Sequence, residues 1–290
     1  MPINELEVHP YLNDIKYREH KANYFENLII GTFPVYGITN TESPLGVIEE
    51  HDFNEDNAHM RFFYGSKKNY LWQLLANAFG ENIPVELENQ DLRKQGAIDL
   101  LVKHKFLITD VVHKTNRNDQ SASDSDLWKR TKNRFVLENR SLNQDLSQLL
   151  ADNKGIKYIY FTATGLEGKS PSGWFKSIFK NNLEFQQVNV FNKIVSAPIH
   201  LFGRDYIAFF LPSPSGNWAR RIPFTGNNND ELFSNYIISV DPDFYNRVVN
   251  LPKKNRTPQQ NNRLTELRKA YLQHHYTSVL RDKMVDFNGK

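Results

Sequence analysis

Asn27-Leu28-Ile29-Ile30-Gly31-Thr32-Phe33-Pro34 decides how the chain is read. Residues 27–33 form an apolar run too short for a helix, closed by a glycine-containing turn. Such a run is expected to be a strand covered on both faces. Three further runs share that character: Lys105–Val112 (KFLITDVV), Ile156–Gly165 (IKYIYFTATG) and Asp205–Pro212 (DYIAFFLP). Helical patterns separate them: Tyr70–Phe79 with a stop at Gly80, a segment around Leu142–Leu150, and one near Trp174–Phe179. A hairpin-like region, Val188–Leu201, turns at Phe202-Gly203-Arg204-Asp205 and feeds the last run. Buried strands alternating with helices predict a three-layer α/β/α fold with a central, mostly parallel sheet of four to five strands.

In such sheets ligands bind where the chain leaves the carboxyl ends of the strands. Four segments leave there: Gly31–Pro34, Asp110–Arg117 (DVVHKTNR), Thr162–Gly168 (TATGLEG) and Leu211–Arg220 (LPSPSGNWAR). The α/β body is expected to occupy residues 1–225. Residues 226–290 form a basic, mostly helical C-terminal extension, with linkers at NNND and LPKKNRTPQQNN and a helix near Leu264–Leu280.

The totals narrow the function. The chain has 290 residues, 39% hydrophobic and 13% aromatic, so bulky rings must supply much of the core. No run is long enough to span a bilayer, and residues 1–21 lack the apolar stretch of a signal peptide. Cysteine is absent, which excludes disulfides and thiolate metal sites and fits a cytoplasmic protein. Net charge is only +3, but residues 253–290 carry nine Lys/Arg against three Asp/Glu, leaving 27 against 30 elsewhere. That basic segment suits either nucleic-acid contact or a solvated helix face.

Absent motifs narrow it further. There is no GxxxxGK[ST] loop and no GxGxxG, so no nucleotide-phosphate cradle is expected. There is no GxSxG elbow. The histidines, among them His9, His113 and His200, are scattered, and His274-His275 lacks helical metal-pair spacing, so no metal and no cofactor is expected. What remains at the strand ends is amides, hydroxyls, aromatics and Gly/Pro-shaped loops. That set suits cleavage of an N-glycosidic bond, in which the protein places a water, stabilises charge on the leaving base and excludes solvent. A base in a duplex must first be flipped out.

At these loops the sequence resembles the uracil-DNA glycosylase superfamily, nearest its hypoxanthine-DNA and mismatch-specific uracil glycosylase branches. Gly31-Thr32-Phe33-Pro34 matches the first motif. Tyr64-Gly65-Ser66-Lys67-Lys68-Asn69-Tyr70-Leu71-Trp72 matches the second. Asp110–Leu127 resembles the third, an Asp at a strand end followed by a polar loop. Leu211-Pro212-Ser213-Pro214-Ser215-Gly216 matches the last. The likeness runs from about residue 27 to 221.

The resemblance implies a monofunctional DNA glycosylase of base excision repair, working as a monomer on DNA. Hypoxanthine or uracil is the favoured base, leaving an abasic site. Phe33 stands where most branches carry a water-activating Asp or Asn. Asn69 matches the residue the hypoxanthine branch uses instead, and so is assigned to orient the attacking water. As Asn before a helix, it also suits a cap. Gly31, Thr32, Phe33, Pro34, Tyr64 and Thr164 are assigned to the base, with Tyr64 stacking on it. Lys67, Lys68, Pro212, Ser213, Pro214, Ser215, Gly216, Asn217 and Arg220 are assigned to DNA. Thr164 replaces the Asn that reads uracil in many relatives, and Ser66-Lys67 replaces His-Pro. A bulky modified base, taken in defence against foreign DNA, is an alternative substrate. A catalytically silent DNA-binding protein of the same fold is an alternative function.

Overall fold

The computed structural model describes residues 7–9, 11–12, 20, 24–34, 60, 62–65, 69–83, 89–115, 129–131, 134–136, 141–164, 170–179, 188–190, 193–215, 222, 224 and 230–283. Its strands in chain order are β1 (Glu7–Val8), β2 (Asn27–Gly31), β3 (Phe106–Asp110), β4 (Val112–Thr115), β5 (Lys129–Thr131), β6 (Arg134–Val136), β7 (Ser141–Leu142), β8 (Tyr158–Phe161), β9 (Val188–Val190), β10 (Lys193–Leu201) and β11 (Arg204–Phe210). Its helices are α1 (Leu71–Phe79), α2 (Gln90–Lys103), α3 (Asp145–Asp152), α4 (Pro171–Phe179), α5 (Glu231–Val240), α6 (Pro242–Val248) and α7 (Pro258–Leu280).

The four apolar runs become β3, β2, β8 and β11, adjacent in that order and parallel throughout. The hairpin strand β10 adds antiparallel to β11, and the three-residue β9 extends that edge. The mostly parallel sheet anticipated from sequence is therefore present. Register shows why both faces are apolar. Tyr160 pairs with Phe209, and their rings stack on one face together with Phe106. Phe161 pairs with Phe210, and on the other face they meet Phe175 of α4. Alternating side chains point to opposite faces of a strand, so each face needs its own helical cover.

The strands end earlier than the apolar runs do. β2 stops at Gly31 and β3 at Asp110 because the chain turns there: Val111 N–H donates to Gly31 O (3.0 Å) and Val112 N–H to Thr32 O (3.1 Å). Beyond the turn the chain enters a second, three-stranded sheet of order β1-β4-β7. Asn143, buried, latches that turn by donating from Nδ2 to Asp110 O (2.9 Å) and to Thr109 Oγ1 (3.1 Å).

The C-terminal segment is built into the fold. α7 starts at Pro258, inside the stretch expected to be a linker. Thr257 and Gln260 form a reciprocal capping box there, and Pro258 occupies the first turn. The first half of α7 buries Leu264, Leu267 and Tyr271 against α5 and α6 in a cluster of its own. Its second half buries Leu272, Tyr276, Val279 and Leu280 in the main core, with Gln273 Nε2 donating to Leu74 O of α1 (3.2 Å). Much of the segment's basic charge is used in this packing. Arg268 donates twice to Ile222 O, Arg263 pairs with Asp241 (2.9 Å), and Arg256 lies over the Phe224 ring. Lys253, Lys254 and Lys269 are exposed.

Candidate active site

Three of the four expected segments meet around the end of β2. A Cβ on Gly31 would collide with the Tyr64 hydroxyl and with Asp110 Oδ1, so only glycine lets these two side chains close over the strand end. Thr32, Phe33 and Pro34, which follow, are buried. The Phe33 ring lies edge-on to the His9 ring, centroids 5.7 Å apart.

Tyr64 arrives on a tight turn. Gly65 N–H donates to Phe62 O (3.1 Å) and Met60 N–H to Gly65 O (2.8 Å). A Cβ on Gly65 would strike the Met60 carbonyl. The turn forces Tyr64 to φ 52°, the left-handed region, which costs a non-glycine residue roughly 1–3 kcal/mol. Its neighbours supply the restraint. Phe62 and Phe63 are fully buried, Phe62 stacks on Trp72 at 5.6 Å, and Trp72 Nε1–H donates to Phe63 O (2.8 Å). The half-buried Tyr64 then reaches across the edge and hydrogen-bonds Thr162 Oγ1 (2.7 Å). Thr162 itself lies within 3.4 Å of Ile30 O. Thr162, buried at the end of β8, is thus the threonine that touches the aromatic. Thr164, two residues on, is exposed.

Asn69 ties the second motif to the last. It forms an antiparallel bridge with Ser215, and Tyr70 N–H donates to Pro214 O (2.9 Å). Its Oδ1 accepts from Leu71 N–H (2.9 Å) at the start of α1. The capping role is therefore present, and it leaves the second lone pair of Oδ1 and the Nδ2 donors for other partners. Tyr70, the residue next to the helix, makes no side-chain cap. The Leu211–Ser215 loop is also held from α7, where the fully buried Tyr276 donates its hydroxyl to Pro212 O (2.7 Å). Burial pushes that phenol well above its ordinary range and keeps it a donor. Ser213 and Ser215 are half-buried, and Pro212 and Pro214 are buried. Lys67, Lys68, Gly216, Asn217 and Arg220 lie outside the described residues, as do residues 37–59.

One pair at this edge was not singled out from sequence. His9 Nε2 lies 2.8 Å from Asp110 Oδ2, with His9 fully buried and Asp110 nearly so. Tyr11 N–H donates to His9 Nδ1 (3.1 Å). That bond needs a lone pair on Nδ1, so Nε2 carries the hydrogen and donates it to Asp110. The other carboxylate oxygen, Asp110 Oδ1, is buried and has no hydrogen-bond partner among the described residues. It is the atom that crowds Gly31 beside the Tyr64 hydroxyl. His9 reaches this place because β1 pairs with β4 and His9 N–H donates to His113 O (2.8 Å).

Among the described residues, no three His, Asp or Glu side chains come together as metal ligands, and no helix is long and apolar enough to cross a membrane. No family model matches the chain, and none of the curated proteins matches it. Among solved structures it is similar to the solution NMR structure of a "putative Uracil DNA glycosylase" from Methanosarcina acetivorans. That match has 18% identity and a TM-score of 0.37, and covers 69% of this chain and 83% of the other.

Proposed function

We propose that the chain is a monofunctional DNA glycosylase that flips a damaged or modified base out of DNA and hydrolyses its N-glycosidic bond. The observation that carries this reading is the convergence made by residues 64–69. Tyr64 reaches Gly31 and Thr162, while Asn69 and Tyr70 are bonded to Ser215 and Pro214. An amide and an aromatic are thereby held at the carboxyl edge of a parallel sheet, where ligands of such folds bind.

In this reading the extruded base lies against Tyr64, and Asn69 orients a water toward C1′. The C1′–N bond breaks, and its electron pair goes to the base nitrogen. The water oxygen bonds to C1′. The water gives up one proton and the departing base takes one, so the products are a free base and an abasic sugar. Hypoxanthine and uracil are the favoured substrates, and a bulky modified base is the second choice. Lys67, Lys68, Asn217 and Arg220 are assigned to DNA phosphates on sequence grounds.

A catalytically silent DNA-binding protein is the competing reading. Two observations favour it: Phe33 is buried and apolar, and Asn69 Oδ1 already serves Leu71 N–H.

The test uses labelled oligonucleotides carrying uracil, hypoxanthine, xanthine, or hydroxymethylated or glucosylated cytosine. Alkali cuts the strand wherever a base has been lost. Excision of one base, lost in Asn69→Ala, is the expected result. Tight binding with no excision on any of the oligonucleotides favours the silent protein.

A further inference from the structure

We infer that Asp110, aimed by His9, is the anionic group of this site and faces the positive charge that develops on the deoxyribose as the glycosidic bond breaks. The inference rests on the glycosylase reading and adds to it a residue from β3 and a positioning residue from β1.

Three observations carry it. First, Asp110 is unevenly satisfied. Oδ2 accepts from His9, whereas Oδ1 is buried with no partner among the described residues. A buried carboxylate oxygen without a donor is costly, and native folds rarely keep one without a use. Second, the orphan oxygen lies at the end of β3 against Gly31 and the Tyr64 hydroxyl, at the carboxyl edge of the sheet and not in the core beneath it. Third, its cover, Tyr64, is a half-buried side chain on a left-handed backbone. Tyr64 is anchored on the sheet by its bond to Thr162. Release of the Thr162 bond is part of what lets Tyr64 turn toward a stacked base and uncover Oδ1.

His9 fixes which oxygen is offered. Its ring cannot swing, because Tyr11 N–H holds Nδ1 and the rings of Tyr11, Phe33 and Phe63 surround it. Its N–H therefore holds Oδ2 and leaves Oδ1 turned toward the strand end. His9 does not touch the substrate in this arrangement; it acts through Asp110.

The charge of the developing sugar cation can be presented without knowing which base is excised. Duplex DNA carrying a pyrrolidine abasic-site analogue, which is cationic, is compared with DNA carrying the neutral tetrahydrofuran analogue. Wild-type protein is expected to bind the pyrrolidine DNA more tightly by about tenfold or more, the effect of one close charge pair in a partly shielded site. Asp110→Asn, which still accepts from His9, is expected to bring the two affinities together while melting within a few degrees of wild type. His9→Ala keeps the carboxyl charge but frees its direction, and is expected to lower the preference without abolishing it.

Equal binding of the two DNAs by wild-type protein overturns the inference, whether or not the variants fold, and leaves the glycosylase reading standing. A preference that survives Asp110→Asn overturns the assignment to Asp110. Failure to bind either DNA at low salt overturns the glycosylase reading itself.

Discussion

Each end of the central sheet takes in an ionisable side chain, Lys283 at one and Asp110 at the other, and the two are treated differently. At the amino end Lys283 lies beneath β2 and β8. Its Nζ donates to Asn27 Oδ1 (2.9 Å), Tyr160 OH and Leu280 O (2.6 Å), and the rings of Phe106, Tyr158 and Tyr160 surround it at 5.0–5.4 Å. All three ammonium hydrogens have acceptors. At the carboxyl end Asp110 has one oxygen bonded to His9 and the other unpartnered among the described residues. A satisfied buried charge anchors structure, whereas an unsatisfied one holds interaction strength in reserve. The amino end holds the C-terminal segment, and on the reading proposed above the carboxyl end takes a ligand.

The largest expected effect falls at the carboxyl end. Asn69→Ala and Asp110→Asn should each lower excision by about 10²–10³-fold, as loss of a preorganised polar group does. Asp110→Asn should melt close to wild type, and Asn69→Ala should lose about 1 kcal/mol of stability with its cap. Gel assays of excision and thermal melts check this. Unchanged excision with a lowered melting temperature would reverse the contrast, making the carboxyl end the structural one.

Gly31→Ala comes next. The added methyl must displace the Tyr64 hydroxyl and the Asp110 carboxylate, at a cost of about 1–3 kcal/mol in chemical denaturation. Activity should fall with it, because the same two side chains move. A neutral substitution would mean that they are loosely held.

At the amino end the expected effect is on stability and on its pH dependence. Burial pushes Lys283 down to about 8, with Glu26 opposing. In the unfolded chain the group binds its proton up to the ordinary lysine range. Between pH 8 and 10 the unfolded state therefore binds more protons, and stability should rise with pH, by up to about 1.4 kcal/mol per unit. Above that window the sign reverses, since burial raises the phenols of Tyr160, Tyr271 and Tyr276. Lys283→Met should remove the rise while leaving excision intact. Denaturation at pH 7, 8 and 9 decides it, and a flat wild-type curve would show that the three acceptors and the rings fully offset desolvation.

The smallest effect is expected from Lys253, Lys254 and Lys269. Arg256, Arg268 and Lys283 are engaged in packing and Arg263 and Arg281 in ion pairs, so converting Lys253, Lys254 and Lys269 to Ala should change the salt slope of DNA binding by less than about one. A loss of two or more would show that this surface contacts phosphates.

The strands were legible because buried parallel strands are written as continuous apolar runs. Their ends were not, because the stop at Asp110 comes from the backbone bonds of Val111 and Val112 to the loop after β2. α2 was missed altogether: its sequence is mostly polar, and its inward face rests on a few residues such as Ala97, Leu100 and Leu101. The polar opening of α7 read as a linker because its start is fixed by a capping box and not by apolar spacing. Gly31, Tyr64, Asn69 and the Pro212–Ser215 loop stood out as local patterns. The His9–Asp110 pair left no such pattern, since its members are 101 residues apart and are joined through a two-residue strand. Thr162 was passed over for Thr164 because the point where β8 ends decides which threonine turns toward Tyr64.

The hydrogen bond from Tyr276 to Pro212 spans 64 positions of chain, and this separation has a consequence during synthesis. Synthesis runs from the N-terminus, so β2, β3, β8 and β11 leave the ribosome before α7 does. The loop after β11 then lacks its clamp, and Asn69 has no fixed partner to bridge. On the glycosylase reading, the loop that Asn69 bridges takes its final form only once the helix of residues 258–280 has closed over the sheet.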